Sequence, residues 1–264
     1  MYDFQYHKAK NVAEAASLVG KSAEGKLVAG GMTLIPTLKQ RLAKPSDLVD
    51  LGGIAELKGI KQEGNALIIG AMTRHIEVAE SDVVKKAIPA LAHLAAHIGD
   101  PAVRNRGTIG GSISNNDPAA DYPSSVVALN ATVITNKRKI EGEKFFTGMF
   151  ETALEPGEIV TSVSFPIPDK AAYMKFPNPA SRYAVVGVFV AKSKDGVRVA
   201  VTGAGPAVFR QKDMEAALTK NFSADAIKGV VQKPDGLNAD IHASAEYRAH
   251  LIGVMARRAV QAAG

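Results

Sequence analysis

The 264-residue sequence predicts a mixed α+β chain, and three stretches predict it. The first is a β-α-β pattern: an apolar strand at 26–29, a Gly-Gly turn, a helix over 33–42 and a strand at 47–51. The second is a run of prolines, Pro166, Pro168, Pro177 and Pro179, which punctuates 166–180 and marks the best candidate domain boundary. The third lies beyond it. Strands Tyr183–Ala191 and Val197–Thr202 are joined by a Lys-Asp-Gly turn at 194–196, and the chain then turns helical, the order expected of a sheet with helices packed on one face.

Element by element, Val12, Ala15, Ala16 and Val19 recur at helical spacing within 10–20, with Asn11 as N-cap and Gly20 as terminator. In the helix after Gly30-Gly31, Leu34, Leu38 and Leu42 are four apart, and Pro36 is tolerable in the first turn. Ala66–Met72 reads as a strand entering Thr73, an expected N-cap for a helix over 74–80 with Glu77 closing the capping pattern. A helix over 82–98 follows, then a long loop over 101–123, a short helix over 124–130, and strands at 131–137 and 157–165. Between those strands Phe145–Phe150 reads as core beneath a loop. The last third is expected to hold helices over 211–219, over 223–232 after a Ser223 cap, and over 243–262, where Tyr247, Leu251, Val254, Met255 and Arg258 follow an amphipathic pattern. Three segments emerge: 1–57, 58–170 and 171–264.

The chemistry-bearing stretch is 101–123, which is rich in Gly and Pro and follows neither strand nor helix period. A long loop in a compact domain is usually functional. Gly110-Gly111 is flanked by Thr108, Ser112 and Ser114. Paired glycines expose backbone N–H groups, and the hydroxyls add neutral donors, a combination suited to phosphate. Asp121 offers a carboxylate for a ribose hydroxyl. A tight turn with Asx- or Ser-type bonds is the plainer reading. Gly30-Gly31 at a helix start is a second cradle of the same kind. Two of them suggest a diphosphate, hence a dinucleotide. Neither is a GxGxxG fingerprint or a P-loop.

Composition narrows the rest. The net charge of +6 is scattered, and the short Lys137-Arg138-Lys139 run has no interleaved aromatics, so a solvated turn is favoured over nucleic-acid binding. An acidic partner subunit explains the charge equally well. With no cysteine, disulfides, thiolate zinc, thiol nucleophiles and a Cys-ligated iron–sulfur cluster on this chain alone are excluded. The first residues lack a signal-peptide core and no apolar run approaches a membrane span, so a cytoplasmic protein is expected. Of the six histidines, His93 and His97 stand at i and i+4; two helix-face histidines are favoured over a metal pair, because no third ligand is near. No Gly-x-Ser-x-Gly elbow is present. The pattern suits a protein whose cofactor carries the reaction.

Ala29–Leu34, Thr108–Ser112 and Asp117–Asp121, together with Arg104–Gly107, Gly70–Thr73, Tyr173–Phe176 and Ala243–Arg248, resemble the motifs of the FAD-binding medium subunit of molybdenum hydroxylases, the family of the carbon monoxide dehydrogenase medium chain and the xanthine dehydrogenase FAD domain. The resemblance spans essentially the whole chain. It implies a vanillyl-alcohol-oxidase-like (PCMH-type) FAD-binding fold in two sub-domains plus a C-terminal antiparallel sheet with a three-helix bundle. It further implies that Ala29, Gly30, Gly31, Met32, Thr33 and Leu34 hold the FAD pyrophosphate through backbone N–H groups, and that Thr108, Ile109, Gly110, Gly111 and Ser112 close on it from the other side. Ala71 and Ala102 join the site by the same resemblance. Asp121 would bond ribityl or ribose hydroxyls, Tyr183 would approach the isoalloxazine, and Lys175 would lie near the flavin. Tyr183 also reads as a core residue at a strand start. The family often carries His-Ser where this chain has Met32-Thr33, which argues against a His-linked flavin here.

The implied function is an oxidoreductase subunit that carries FAD. It would take electrons from [2Fe–2S] clusters in a small partner and pass them to an external acceptor, while a large molybdopterin subunit hydroxylates the substrate. The implied assembly is a dimer of heterotrimers. The alternatives are a stand-alone FAD-dependent oxidoreductase of the same fold and a non-catalytic nucleotide-binding module.

Overall fold

In the computed structural model, which describes residues 1–264, the N-terminal pattern folds as β1 (Gln5–Lys8), α1 (Val12–Lys21), β2 (Gly25–Val28), α2 (Leu34–Lys39) and β3 (Asp47–Asp50). The strands make a parallel sheet in the order β1-β3-β2. Strand β1 escapes hydrophobic pattern reading because Gln5, Tyr6 and Lys8 are exposed. Asn11 caps α1 as expected, accepting from the Glu14 N–H at 2.8 Å, but Gly20 does not end the helix, which runs to Lys21. Helix α2 stops at Lys39 rather than reaching Leu42. Arg41 turns into the left-handed region at φ 60°, so Leu38 is buried while Leu42 is 73% exposed. A small core of Ala15, Val49, Leu51, Ile54 and Leu57 ties the helix to the sheet.

The middle of the chain begins with β4 (Ile60–Glu63) and β5 (Ala66–Gly70), then runs through α3 (His75–Glu80), α4 (Asp82–Ala87), α5 (Pro89–Ala96), α6 (Pro101–Arg106), α7 (Ile109–Asn115) and α8 (Tyr122–Ala128). It closes with β6 (Thr132–Thr135), β7 (Lys139–Glu141), α9 (Gly142–Phe145), the β8–β9 hairpin (Phe146–Gly148, Glu151–Thr152) and β10 (Val160–Pro166). The main sheet is antiparallel, ordered β4-β5-β10-β6-β7. Three expectations are corrected here. Thr73 is not the cap of α3; its hydroxyl bridges the Gly59 N–H and C=O, both at 3.1 Å, and Arg74 holds the cap position, its N–H donating to Glu77 Oε2 at 2.8 Å. The helix expected over 82–98 breaks at Pro89, which lacks the N–H an uninterrupted helix needs and pushes Ile88 to φ −141°. The stretch 101–123 is three helix starts rather than one loop, each too short to show a period. Phe145 and Phe146 are core, whereas Met149 and Phe150 are about half exposed.

The proline-punctuated segment is not a linker throughout, because β11 (Lys170–Pro177) occupies it. With β12 (Ala184–Ser193), β13 (Gly196–Thr202) and β14 (Phe209–Arg210) it makes an antiparallel sheet, followed by α10 (Lys212–Lys220) and α11 (Ala245–Ala263). Two helices stand where three were expected, since the Ser223 cap starts only a 3-10 turn at Ala224–Ile227. Strand β12 is a near-continuous apolar run because both faces are covered: Phe189 and Ala191 join the middle core, while Val186, Val188 and Val190 join a core under α11. Helix α11 buries Leu251, Ile252, Met255, Ala256, Ala259 and Val260, so the apolar stripe runs beside Tyr247 and Arg258, both of which are exposed. Arg248 is also buried. Its guanidinium donates to the Val185 and Gly203 carbonyls at 2.7 and 3.0 Å and to Asp240 at 2.7 Å. The end of β13 in turn braces the turn before α8: Thr202 Oγ1 donates to Ala120 O at 2.6 Å and the Gly203 N–H to Pro118 O at 2.8 Å. No helix is long and apolar enough to cross a membrane.

Candidate functional site

A cavity of about 500 Å³ is lined by the turn after β2, by the segments leading into α3 and α7, and by Tyr183 ahead of β12. It falls within the usual size range for ligand sites. On one wall the N–H groups of Gly30, Gly31, Met32, Thr33 and Leu34 donate to no acceptor in the chain; the first bonded one is Ile35, to Gly31 O at 3.0 Å. Successive unpaired donors at a strand-to-helix turn form an anion cradle. The turn reaches this position because a Cβ on Gly30 would collide with the Arg106 carbonyl and come within 2.8 Å of Gly107 Cα.

The facing wall is built differently from the expectation of a second set of free N–H groups. Residues 71–75 run beside 107–110: the Gly110 N–H donates to Ala71 O at 2.9 Å, Ile109 N–H to Thr73 O at 3.1 Å and His75 N–H to Gly107 O at 2.9 Å. The Gly111 N–H is taken by Thr108 Oγ1 at 3.1 Å, which caps α7. This glycine pair therefore serves close packing, since a Cβ on Gly110 would sit 2.6 Å from Ala71 Cβ. What it offers a ligand are the hydroxyls of Thr108 and Ser112.

Ala29–Leu34, Ala71, Thr108, Gly110–Ser112, Asp121 and Tyr183 all line the cavity. Ala102, Ile109 and Lys175 do not. Ala102 is on the outer face of α6, and Ile109 is fully buried in the core beneath α7. Lys175 stands behind the wall with its side chain 6% exposed, its ammonium 2.9 and 3.0 Å from the two Asp121 oxygens and 3.0 Å from His97 O. Tyr173 donates to Asp121 Oδ1 at 2.5 Å. Burial pushes the Asp121 carboxyl up, with the Lys175 charge and the Tyr173 hydroxyl pulling the other way. The acceptor expected to be free for a sugar hydroxyl is thus already doubly bonded. Tyr183 is 48% exposed rather than core, and burial followed by Asp117 and Asp121 raises its phenol.

Sequence reasoning missed His75, Glu158 and Phe150, which also line the cavity. Glu158 is fixed: burial raises its carboxyl, but the Arg138 guanidinium, the Glu155 N–H and the Thr135 hydroxyl outweigh that and hold it at about 2. His75 is 3% exposed, and burial followed by the Arg104 charge lowers it to about 4, so it is neutral at physiological pH. Only the pairing of 71–75 with 107–110 brings it here, and no local motif announces that. No cluster of three His, Cys, Asp or Glu side chains assembles that could hold a metal.

Residues 2–168 match the family described as the FAD binding domain in molybdopterin dehydrogenase, and residues 171–263 match the CO dehydrogenase flavoprotein C-terminal domain. The chain is similar to the carbon monoxide dehydrogenase medium chain of Hydrogenophaga pseudoflava, 34% identical over 98% of this chain and 96% of that one. It is equally similar to the glyceraldehyde dehydrogenase medium chain of Sulfolobus acidocaldarius, 34% identical over 97% of each. Among solved structures, carbon monoxide dehydrogenase from Hydrogenophaga pseudoflava superposes with a TM-score of 0.88 at 35% identity, covering 98% of this chain and 96% of that one.

Proposed function

The chain belongs to the molybdopterin dehydrogenase FAD-binding family, and from that premise we propose that it is the flavin-carrying, electron-transferring subunit of a molybdenum hydroxylase. Its electrons come from [2Fe–2S] clusters of a small subunit and leave to an external acceptor, while a large molybdopterin subunit oxidises the substrate. The assembly is a cytoplasmic dimer of such heterotrimers. The relatives act on carbon monoxide and on glyceraldehyde, and their medium chains resemble this one equally, so the substrate is chosen outside this chain.

The observation that carries the reading is the run of five unpaired N–H groups from Gly30 to Leu34 opposite the Thr108 and Ser112 hydroxyls. It fits a diphosphate: the donors are neutral, free of acceptors in the chain, and set along the wall of a cavity large enough for part of a dinucleotide. Bound FAD supplies the redox chemistry by accepting electrons and releasing them one or two at a time. The chain's own residues bind and orient it. Gly30–Leu34 take the diphosphate through the backbone, which explains why Met32 and Thr33 stand where the resembled family often has His-Ser. Asp121, held in place by Lys175 and Tyr173, presents a polar edge toward the sugar or ribityl hydroxyls. Tyr183 screens the open side of the cavity. Of the three cavity acids, Asp121 and Glu158 are ion-paired within the chain and Asp117 accepts the Ala119 N–H at 2.8 Å, which favours an electron carrier over a stand-alone enzyme that needs a free acid or base.

The test is the visible spectrum of the protein purified with its native partners, with the released cofactor identified. Stoichiometric FAD here, with iron and molybdenum confined to the other chains, is expected. FAD on a lone chain that turns over substrate would move the assignment to the stand-alone oxidoreductase. An intact complex that takes up no flavin would end both.

A further inference from the structure

The β8–β9 hairpin pairs Gly148 with Glu151, so its tip is Met149 and Phe150. Phe150 stands at φ 56°, in the left-handed region, where a turn ordinarily takes Gly or Asn and a bulky side chain is an outlier. Packing within the chain does not account for the ring, which is 56% exposed. Of the two tip residues, Phe150 alone lines the cavity. Strained residues persist only where their surroundings fix them, and they gather at ligand clamps.

Here the fixing is done by one residue. Asn116 is 1% exposed and itself left-handed at φ 44°. Both of its amide protons go to the residues that bracket the tip, Gly148 O at 2.8 Å and Glu151 O at 2.7 Å. Its carbonyl accepts the Phe150 N–H at 3.1 Å. A buried side chain is thus committed to holding an exposed aromatic in an unfavourable conformation. The same residue sets the tip's distance from the phosphate wall. The Asn116 N–H donates to Ser112 O at 3.2 Å, so Phe150 is anchored one helical turn, about 5 Å, beyond Ser112. In a dinucleotide each ring system is joined to the diphosphate through one ribose or ribityl chain, a spacer of comparable length.

We propose that Phe150 is an aromatic wall against which a planar ring of the bound dinucleotide lies, isoalloxazine or adenine, with Asn116 as the positioning residue that holds it there. The proposal rests on the flavin reading above and adds to it a side chain that no phosphate motif contains. Stacking asks for a face rather than for a hydrogen-bond partner, so a phenyl ring serves either heterocycle. A tip already fixed by three hydrogen bonds presents that face with little loop freedom left to lose on binding.

The experiment measures dissociation constants of FAD, ADP and riboflavin, together with thermal midpoints, for the full-length chain and for Phe150→Asn, Phe150→Tyr and Met149→Ala. Stacking a heterocycle on an aromatic side chain is worth about five- to a hundred-fold in affinity. Phe150→Asn is expected to lose that for FAD while its midpoint holds or rises, because Asn is at ease at positive φ. Phe150→Tyr keeps the face and should bind within about three-fold of the parent; Met149→Ala should bind within about two-fold. The half-ligands name the ring. Loss for riboflavin with ADP unchanged gives the isoalloxazine, loss for ADP with riboflavin unchanged gives the adenine, and either supports the proposal. A Phe150→Asn chain that binds FAD as the parent does overturns it; if that variant then fails to assemble with its partner chains, the ring belongs to a docking surface instead. A loss shared alike by all three ligands also overturns it, since a distorted cavity and not a stacked ring is then the cause. Should Phe150→Asn fold poorly, nuclear Overhauser contacts in the parent decide: contacts between the Phe150 ring protons and the flavin or adenine protons of bound FAD support the proposal, and their absence overturns it. A parent chain that binds none of the three ligands overturns the flavin reading itself, and this proposal with it.

Discussion

Replacing Lys175 with Met removes the ammonium that faces the buried Asp121 carboxylate. In the wild type the Lys175 ammonium lies 2.9 Å from Asp121 Oδ1, which at an effective dielectric constant of about 20 is an attraction of about 6 kcal/mol before desolvation is counted. Desolvation offsets much of it, and removing one partner of a buried pair costs about 3–5 kcal/mol because the other charge is stranded. For a chain of this size that is a fall in Tm on the order of 10 °C. The pH dependence carries the sign. Without Lys175, burial lifts the Asp121 carboxyl still further above its ordinary value, so the folded state binds the proton more tightly than the unfolded one. The variant is then least impaired below the ordinary carboxylate range, and its deficit grows as pH rises through the raised value and levels off above it. Thermal unfolding of parent, Lys175→Met and Lys175→Met/Asp121→Asn from pH 4 to 8 measures this. The double variant is expected to recover most of the loss, since no stranded charge is left. A Lys175→Met midpoint within about 2 °C of the parent at neutral pH, or a deficit that shrinks as pH rises, would mean that no charge is stranded on Asp121.

Other expectations follow from the same geometry. Glu158, held at about 2, contributes roughly 3 kcal/mol that is present above the unfolded carboxylate value near 4.5 and lost as pH falls toward 2; Glu158→Gln should flatten the acid limb of a denaturation curve, and an unchanged limb counts against the assignment. Thr33→Ala should change FAD affinity by less than about three-fold, because the cradle is backbone, with affinity read by flavin fluorescence quenching. Gly110→Ala must push Ala71 away from a 2.6 Å approach and should cost about 1–3 kcal/mol of stability together with a loss of FAD affinity; a variant as stable as the parent in urea unfolding would show that the wall is slack.

Much of the site was legible because glycine pairs have few reasons to stand where a strand meets a helix. Gly30-Gly31 was read as a cradle for that reason, and the N–H groups from Gly30 to Leu34 are left without acceptors in the chain. Gly110-Gly111 was read for the wrong one, since its N–H groups turn inward and only the pairing with residues 71–73 reveals it. The segment 101–123 looked irregular because helices of six or seven residues show caps rather than period; Asp100-Pro101, Thr108 and Tyr122-Pro123 were the starts that periodicity could not weigh. Strand β1 left no apolar trace because it lies at an exposed sheet edge and is held by its backbone ladder to β3. Asp121 could be named from its loop, but its partners Tyr173 and Lys175 lie 52 and 54 positions away. His75 had no signature at all.

The brace that β13 gives to the turn before α8 has a consequence for how such chains can be shuffled. The turn carrying Asp117–Asp121 takes its shape from Thr202 and Gly203, and Gly203 is pinned by Arg248. A fragment ending near residue 168 would retain every phosphate-binding motif in writing, yet lose the template that folds one edge of the pocket. Exchange of the last ninety or so residues between relatives is therefore not a neutral graft. The incoming piece must bring its own Tyr173, Lys175, Thr202 and Arg248 equivalents as a set, so recombination within this family should find its viable crossovers at the ends of the chain rather than at the seam that its sequence advertises.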